Sequence, residues 1–426
     1  MPARKVRIGL VGLAGTIAAA YVFEALQYKK TAAIGFDLQS RPALDDPKFR
    51  YVLESLAGAP VREGNKIDVL RNGHEIFPAM LEAIKSAECT INFATFVYWR
   101  GEIAPEFADA LGERAGAGVE VNVLLDAMGA AKMEKPLVEK LRDAGAKVEW
   151  FRPPHWYSIH KSNNRTHRKI LVVDGQVGFT GGVGIAEEWT GDCETPDNWR
   201  DTHLRIEGPV VRDLVGGFQE NWSEATRCIL TDGHLGDIEA FENGAAAQIL
   251  RSSAGKGSTN AEELFYAAIS SARRNLWLTT AYFAPRRAFV LALIDAVKRG
   301  VDVRILVNGP HIDKEVVRQA GRSSYDGLLE GGVKILEYQR TMLHAKTMVV
   351  DGYWATVGSI NFDNRSFSLN DELNLSVWDE PLARKLQDHF KLDLEDAREV
   401  TLDEWRSRPA AQVVKERSSA LLRREL

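Results

Sequence analysis

The chain has 426 residues, more than one hydrophobic core usually supports, so two domains of roughly 150 to 200 residues are expected. Its 45% hydrophobic and 27% charged residues are an ordinary globular composition. A formal net charge of -5 argues against a general nucleic-acid binder, because nonspecific affinity needs an excess of Lys and Arg over the whole surface, while a local basic site remains allowed.

From the N-terminus, Ile8 to Phe23 is uncharged, follows Arg4, Lys5 and Arg7, and is extended past Glu24 by Ala25 and Leu26. As a helix, those sixteen residues cover roughly 24 Å against roughly 30 Å of bilayer hydrocarbon. Residues 1–30 therefore read as a short membrane anchor or a signal-like helix, with Ala18-Ala19-Ala20 as the small-residue pattern that cleavage needs; a retained anchor is preferred. Lys29, Lys30 and Arg41 balance the basic residues before the segment, so its orientation stays open. Residues 31–65 are largely polar and read as a connector.

The remainder reads twice, as residues 66–232 and 245–400. Helical patterns at Glu75 to Ser86 and Ala104 to Ala115 alternate with apolar runs at Thr90 to Val97 and Val119 to Leu125. The second part repeats them with helices at Ala261 to Ala272 and Ala288 to Arg299 and runs at Leu276 to Phe283 and Val301 to Val307. Val69-Leu70-Arg71 parallels Ile249-Leu250-Arg251, and Gly118-Val119-Glu120-Val121 parallels Gly300-Val301-Asp302-Val303, as a duplication predicts. The expected fold class is α/β, two similar sandwich domains with mainly buried sheets. Thr231 to Ala247 is the link between them, and residues 401–426 form a slightly basic tail, read as a packed or solvated helix with Trp405, Val413, Val414, Leu421 and Leu422 as its apolar members. Cys89, Cys193 and Cys228 are far apart, which implies neither a disulfide framework nor a zinc site.

The chemistry lies inside the repeat. His167-Arg168-Lys169-Ile170-Leu171-Val172-Val173-Asp174 returns as His344-Ala345-Lys346-Thr347-Met348-Val349-Val350-Asp351, and each copy reads His-x-Lys-x4-Asp-x6-Gly, closing at Gly181 and Gly358. On a strand, the period of two puts His and Lys on one face. Asp174-Gly175 and Asp351-Gly352 read as hairpin turns, with Val177 to Thr180 and Trp354 to Val357 returning. Two histidines and two lysines at matched positions point to one shared site, because splitting a phosphodiester in two steps takes one imidazole to attack and another to protonate the leaving oxygen. Such chemistry needs no metal and no cofactor.

These motifs resemble the phospholipase D superfamily and, within it, the bacterial cardiolipin synthases. Gly358-Ser359-Ile360-Asn361 with Arg365-Ser366 and Asn370-Asp371-Glu372 is similar to that family's second motif, and Asn164-Arg165-Thr166 and Trp199-Arg200-Asp201-Thr202-His203 are similar to its surroundings of the first. The resemblance covers roughly Ile67 to Ala397. It implies two phospholipase D-type domains around a shared site and transfer of a phosphatidyl group between two phosphatidylglycerol molecules, giving cardiolipin and glycerol through a phosphohistidine. A hydrolytic phospholipase D is the alternative, a superfamily nuclease a more distant one, and a noncatalytic scaffold the last.

The same resemblance implies His167 as nucleophile and His344 as acid and base, with Lys169, Lys346, Asn361 and Ser359 at the phosphate oxygens. Asp201 and Glu372 match the family's downstream acids and would orient the imidazoles. Asp174, Asp351, Gly181 and Gly358 are read as motif residues with structural roles. One departure stands out: Gly182 and Gly184 replace the serine and asparagine of the second copy, which suggests unequal roles for the halves. The implied partner is a phospholipid in a bacterial cell membrane rather than a nucleic acid, with oligomeric state left open. Trp156, within Pro153 to His160, and Phe283, within Tyr282 to Pro285, are candidates for an acyl-chain entrance or for core. His74, His155, His160, His203, His234, His311 and His389 are read as structural or exposed.

Overall fold

Apolar, β-branched runs recur through both parts of the chain, and in the computed structural model they pair into one 15-stranded sheet. The structure describes residues 36–154, 163–231, 233–235, 238–253 and 259–423. The expected anchor and Trp156 lie outside these residues. Among the described residues no helix is long and apolar enough to cross a membrane.

The first part supplies β1 (Arg62–Arg71), β2 (Thr90–Thr95), β3 (Glu120–Asp126), β4 (Lys147–Phe151), β5 (Ile170–Val173), β6 (Val177–Gly181) and β7 (Thr202–Glu207). The second supplies β8 (Ala245–Ser252), β9 (Asn275–Thr279), β10 (Asp302–Asn308), β11 (Lys334–Tyr338), β12 (Thr347–Val350), β13 (Trp354–Gly358), β14 (Glu372–Trp378) and β15 (Ala397–Glu399). β1 and β8 meet antiparallel at the centre, with Arg62 opposite Ala247 and Asn65 opposite Ala245. Outward from them the order is β7-β6-β5-β2-β3-β4 on one side and β14-β13-β12-β9-β10-β11 on the other, with β15 added at the far edge. The duplication is thus a topological one, strand for strand.

Burial follows the alternation of elements. The helices Asn72–Lys85 and Ile103–Gly116 cover one face of the first half through Ile76, Ile84, Phe107 and Leu111. The helices Asn260–Ser271 and Arg287–Lys298 do the same for the second through Leu264, Phe265, Phe289 and Leu293. A third core joins residues of both halves, among them Ile170, Val172, Leu204, Val357, Leu373 and Leu375. Full burial of each such side chain contributes roughly 1.5–3 kcal/mol, and here that apolar surface also holds the halves together.

Several expectations need correction. The connector is not merely polar: Asp46 caps a helix over Pro47–Ala57 by accepting from Lys48 N–H, Gly58 (φ 61) ends it, and Phe49 and Leu53 pack into the second half's core. β1 also begins within the stretch read as connector, at Arg62. β2 and β9 stop at Thr95 and Thr279, short of Val97 and Phe283, because the chain there turns into loops around the site. His167, Lys169, His344 and Lys346 precede β5 and β12 rather than lie in them. Those segments are tied across the halves instead, by bridges Thr166–Asp371 and Arg200–Leu343. The tail packs as two helices, Leu402–Arg406 and Ala410–Ala420, with Trp405 buried but Val414, Leu421 and Leu422 exposed. Phe283 is core, stacked on Phe362 at 5.8 Å.

Candidate active site

Each motif begins where two constraints meet. Asp174 (φ 53) and Gly175 (φ 63), and likewise Asp351 (φ 57) and Gly352 (φ 65), take the left-handed conformation that a tight hairpin turn needs. The Asp174 carboxylate accepts from the N–H groups of Glu88, Cys89 and Thr90 at 2.7–2.9 Å, and Asp351 does the same for Arg273, Arg274 and Asn275. These aspartates pin the hairpin to the head of the next strand, away from the histidines.

At the other end of β5 and β12 the halves interlock. His167 N–H donates to the Asp371 carbonyl at 2.8 Å, and His344 N–H to the Arg200 carbonyl at 2.7 Å. The acid that follows each of those carbonyls then meets the imidazole: Glu372 Oε2 lies 2.8 Å from His167 Nδ1, and Asp201 Oδ2 lies 2.7 Å from His344 Nδ1. Each of the two motif histidines is therefore held by the acid of the opposite half. With Nδ1 occupied, Nε2 of each ring is left for chemistry. Lys169 and Lys346 hydrogen-bond the carbonyls of His167 and His344, which keeps each ammonium beside its own imidazole.

The electrostatics favour neutral imidazoles. Burial lowers His167 to about 4 against the pull of Glu372, and lowers His344 to about 3, with Lys346 adding to the effect and Asp201 opposing it. Lys346 also depresses His167, and Lys169 depresses His344, so the two motifs share one field. Burial brings Lys169 down to about 7 and Lys346 to about 8. Burial works to raise Asp201 and Glu372, but the hydrogen-bonded His344 and His167, with the lysines beside them, win and both lie below the ordinary carboxylate range. The two lysines thus offset the two carboxylates at the centre.

Ser359 and Asn361 adjoin this centre. Ser359 is buried, accepts from Leu373 N–H at 3.0 Å and belongs to the surroundings of Glu372. Asn361 is 3% exposed, its N–H donates to Ser366 Oγ at 3.0 Å, and its side-chain oxygen has no partner among the described residues. Gly181 and Gly358 let β7 and β14 pass closely: an added Cβ would lie 2.5 Å from His203 Nδ1 and 2.2 Å from Asn374 Oδ1.

Of the residues around the histidines, Phe96, Trp189, Asp126 and Asn308 carry no signal of their own in the sequence, while Trp199 lies in the run that resembles the family. Phe96 sets its ring edge-on to His167 at 5.1 Å, and Trp189 and Trp199 lie 5.2 and 5.4 Å from the His344 ring. Trp189 Nε1 also donates to Asp201 Oδ2 at 2.8 Å. Ahead of His167, the buried Asp126 accepts from Arg165 Nε at 3.0 Å and Thr166 N–H at 3.1 Å. Asn308, at the same place on β10, takes Leu343 N–H at 2.7 Å and donates to the Leu343 carbonyl at 2.8 Å. The strand-end position, rather than the residue type, was the available clue. His203 is buried beside Asp201, and His234 is buried between Asn92 and Glu120.

Sequence and fold comparisons bear on this geometry. The family described as cardiolipin synthase, phospholipase D-like domain, matches residues 80–194 and 265–394. A cardiolipin synthase of Geobacillus sp. is 35% identical over 367 residues, which is 85% of this chain and 73% of that protein. A probable cardiolipin synthase of Bacillus subtilis is 32% identical over 388 residues, 89% of this chain and 77% of that one. Among solved structures, the phosphatidylserine synthase of Haemophilus influenzae superposes with a TM-score of 0.67 at 14% identity, covering 89% of this chain and 100% of that chain, and so shares the fold.

Proposed function

The chain belongs to the cardiolipin synthase family with phospholipase D-like domains, and from that membership we propose that it moves a phosphatidyl group from one phosphatidylglycerol to another, yielding cardiolipin and glycerol. The observation that carries the mechanism is the crosswise pairing of His167 with Glu372 and His344 with Asp201.

His167 Nε2 attacks phosphorus, the bond to the leaving glycerol oxygen breaks, and the His344 imidazolium gives that oxygen its proton. The phosphodiester's negative charge is what raises His344 enough to hold that proton. The acceptor hydroxyl then loses its proton to His344 and attacks phosphorus, and the bond to His167 breaks. Lys169, Lys346 and Asn361 stabilise the charge on the nonbridging oxygens of the pentacoordinate state, and Ser359 supports Glu372. Asp201 and Glu372 fix the ring tautomers rather than take protons. Transfer prevails over hydrolysis when a lipid hydroxyl, and not water, lies next to the base, and the aromatic surround of Phe96, Trp189 and Trp199 reduces water there.

Purified protein given phosphatidylglycerol alone in detergent should form more cardiolipin than phosphatidic acid, and added glycerol should reverse the reaction. Phosphatidic acid as the dominant product, unaffected by glycerol, would instead assign a hydrolytic phospholipase D. The site of action we propose is a bacterial cell membrane, reached through residues 1–30. Deleting them should leave turnover in detergent but release the protein from washed membranes; continued sedimentation with membranes would rule that anchor out.

A further inference from the structure

Two helices bury a polar side chain on an otherwise apolar face. The helix Val211–Thr226 of the first half buries Leu214, Phe218 and Trp222, and with them Asn221. The helix Glu380–Leu394 of the second half buries Leu382, Leu386 and Phe390, and with them Asp393. A buried polar group costs stability unless its partners satisfy it, so the partners show what each one is for.

Asn221 uses both ends of its amide. Its Oδ1 accepts from Thr166 Oγ1 at 3.0 Å, and its Nδ2 donates to Asp371 Oδ2 at 2.9 Å. Thr166 immediately precedes His167, and Asp371 immediately precedes Glu372. One side chain therefore spans the residue before a histidine and the residue before the acid that serves it. Asp393 makes the corresponding grip from the other side: its carboxylate accepts from Arg200 Nε at 2.9 and 3.1 Å, and Arg200 immediately precedes Asp201. The same guanidinium donates onward to the Asp201 carbonyl and, at 2.9 Å, to Thr202 Oγ1. Leu343, ahead of His344, has no polar side chain to offer, and Asn308 holds its backbone instead. Each helix thus reaches into the opposite half and grips the residue whose carbonyl receives the histidine N–H, at 2.8 Å for Asp371 and 2.7 Å for Arg200.

The consequence is for geometry. An acid selects the imidazole tautomer only while ring and carboxylate keep their register, and a misplacement of about 1 Å can cost about 10²-fold in rate. The backbone bond sets the distance between the two segments, and the side-chain grip stops the acid-bearing one from turning about that bond. We propose that Asn221 and Asp393 are positioning residues for the reaction, each fixing across the boundary between the halves the segment from which Glu372 or Asp201 reaches its histidine. This rests on the reading of His167 as nucleophile and His344 as acid and base.

The test compares leaving groups in the full-length protein. The glycerol oxygen of phosphatidylglycerol must be protonated to leave, whereas a phosphatidyl ester of p-nitrophenol loses the phenolate without an acid; both donors need the nucleophile. On phosphatidylglycerol, Asn221→Leu and Asp393→Asn should each lower kcat about 10- to 100-fold with KM within about twofold of wild type. On the nitrophenyl ester, Asp393→Asn should release the first equivalent of nitrophenol within about threefold of the wild-type rate and then turn over slowly, because only the second step still needs the base. Asn221→Leu should stay impaired in that first release, and in a Glu372→Gln background it should cost less than about twofold more, since the acid it positions is gone. Thr166→Val, which deletes one of the Asn221 bonds, should follow Asn221→Leu in milder form and carries the test where the leucine variant does not fold. Near-wild-type kcat on phosphatidylglycerol in these variants overturns the proposal. So does an equal loss on both donors in Asn221→Leu and Asp393→Asn alike, or a full further loss from Asn221→Leu without the Glu372 carboxylate; either marks a loosened fold. The reverse pattern, with the nitrophenyl ester rescuing Asn221→Leu and not Asp393→Asn, overturns instead the assignment of nucleophile and acid.

Discussion

The two halves share one topology but build unlike walls. Glu372 reaches His167 with a long side chain, helped by Asn370 Nδ2 at 3.2 Å and neighbouring Ser359. Asp201 reaches His344 with a shorter one and is buttressed by Trp189 Nε1 and Thr202 N–H, each at 2.8 Å. The glycines of the first copy follow from this. A Cβ on Gly182 would lie 2.1 Å from Asp201 Oδ1, and one on Gly184 would lie 2.7 Å from Val97 Cβ, so neither a serine nor an asparagine fits. Ser359 and Asn361 therefore have no polar counterpart in the first copy, and the rings beside both histidines, Phe96, Trp189 and Trp199, come from the first half. Each copy keeps its histidine and lysine but depends on the other for the acid, which makes the duplication a division of labour.

The largest effect should come from deleting either imidazole. His167→Ala and His344→Ala are each expected to lower kcat by about 10⁴-fold or more with near-normal thermal stability. Substantial turnover in one of them would break the equality of the halves at the centre. Next come the acids: Glu372→Gln and Asp201→Asn should each cost about 10²- to 10⁴-fold in kcat with little change in lipid KM. They should differ in stability, because an amide at position 201 leaves a donor facing Trp189 N–H, His344 or Thr202 N–H, at about 1–3 kcal/mol. Equal thermal midpoints for the two variants would erase that contrast.

The asymmetry is sharpened by smaller changes. Asn361→Ala should lower kcat about 10²-fold by removing a donor to the developing charge. Gly182→Ala, which pushes on the Asp201 carboxylate, should destabilise by about 1–3 kcal/mol and reduce turnover, whereas Ser359→Ala should be milder; kinetics and melting curves of both would decide. The mildest effect is that of pH. Lys169 and Lys346 lose their protons near 7 and 8, so affinity for a short-chain phosphatidylglycerol should fall as pH rises through that range. Towards acid, the rate should hold until His167 begins to protonate near 4. Affinity that rises with pH would show that the lysines do not bind the phosphate.

Much of this was legible in the sequence because it is local. The helices Ala261–Ala272 and Ala288–Arg299 were displaced by one residue from those observed, since their apolar period is strong. The His-x-Lys-x4-Asp pattern located both hairpins, since left-handed Asp-Gly is a local preference. The acids were recognisable, but which histidine each serves was not: that depends on the antiparallel meeting of β1 and β8, which brings residues 205 apart together. The helix Pro47–Ala57 was hidden for a different reason. Its sequence carries start and stop signals at Asp46 and Gly58, yet only Phe49 and Leu53 are buried, too few to stand out as a period. Trp189 and Phe96 gave no sign of their place because an aromatic residue near a loop is equally at home in core.

The interlocked site makes its most direct claim about where the covalent bond forms. With His344→Ala the second step lacks its base, so phosphatidylglycerol labelled in the phosphatidyl group, quenching in alkaline denaturant, where the N–P bond survives, and peptide mapping at alkaline pH would catch the intermediate. An activated donor with a good leaving group would remove the need for the missing acid in the first step. Label on His167, abolished by Glu372→Gln, is the expected result; label on any other residue, or none on His167 while free product still forms, would contradict it.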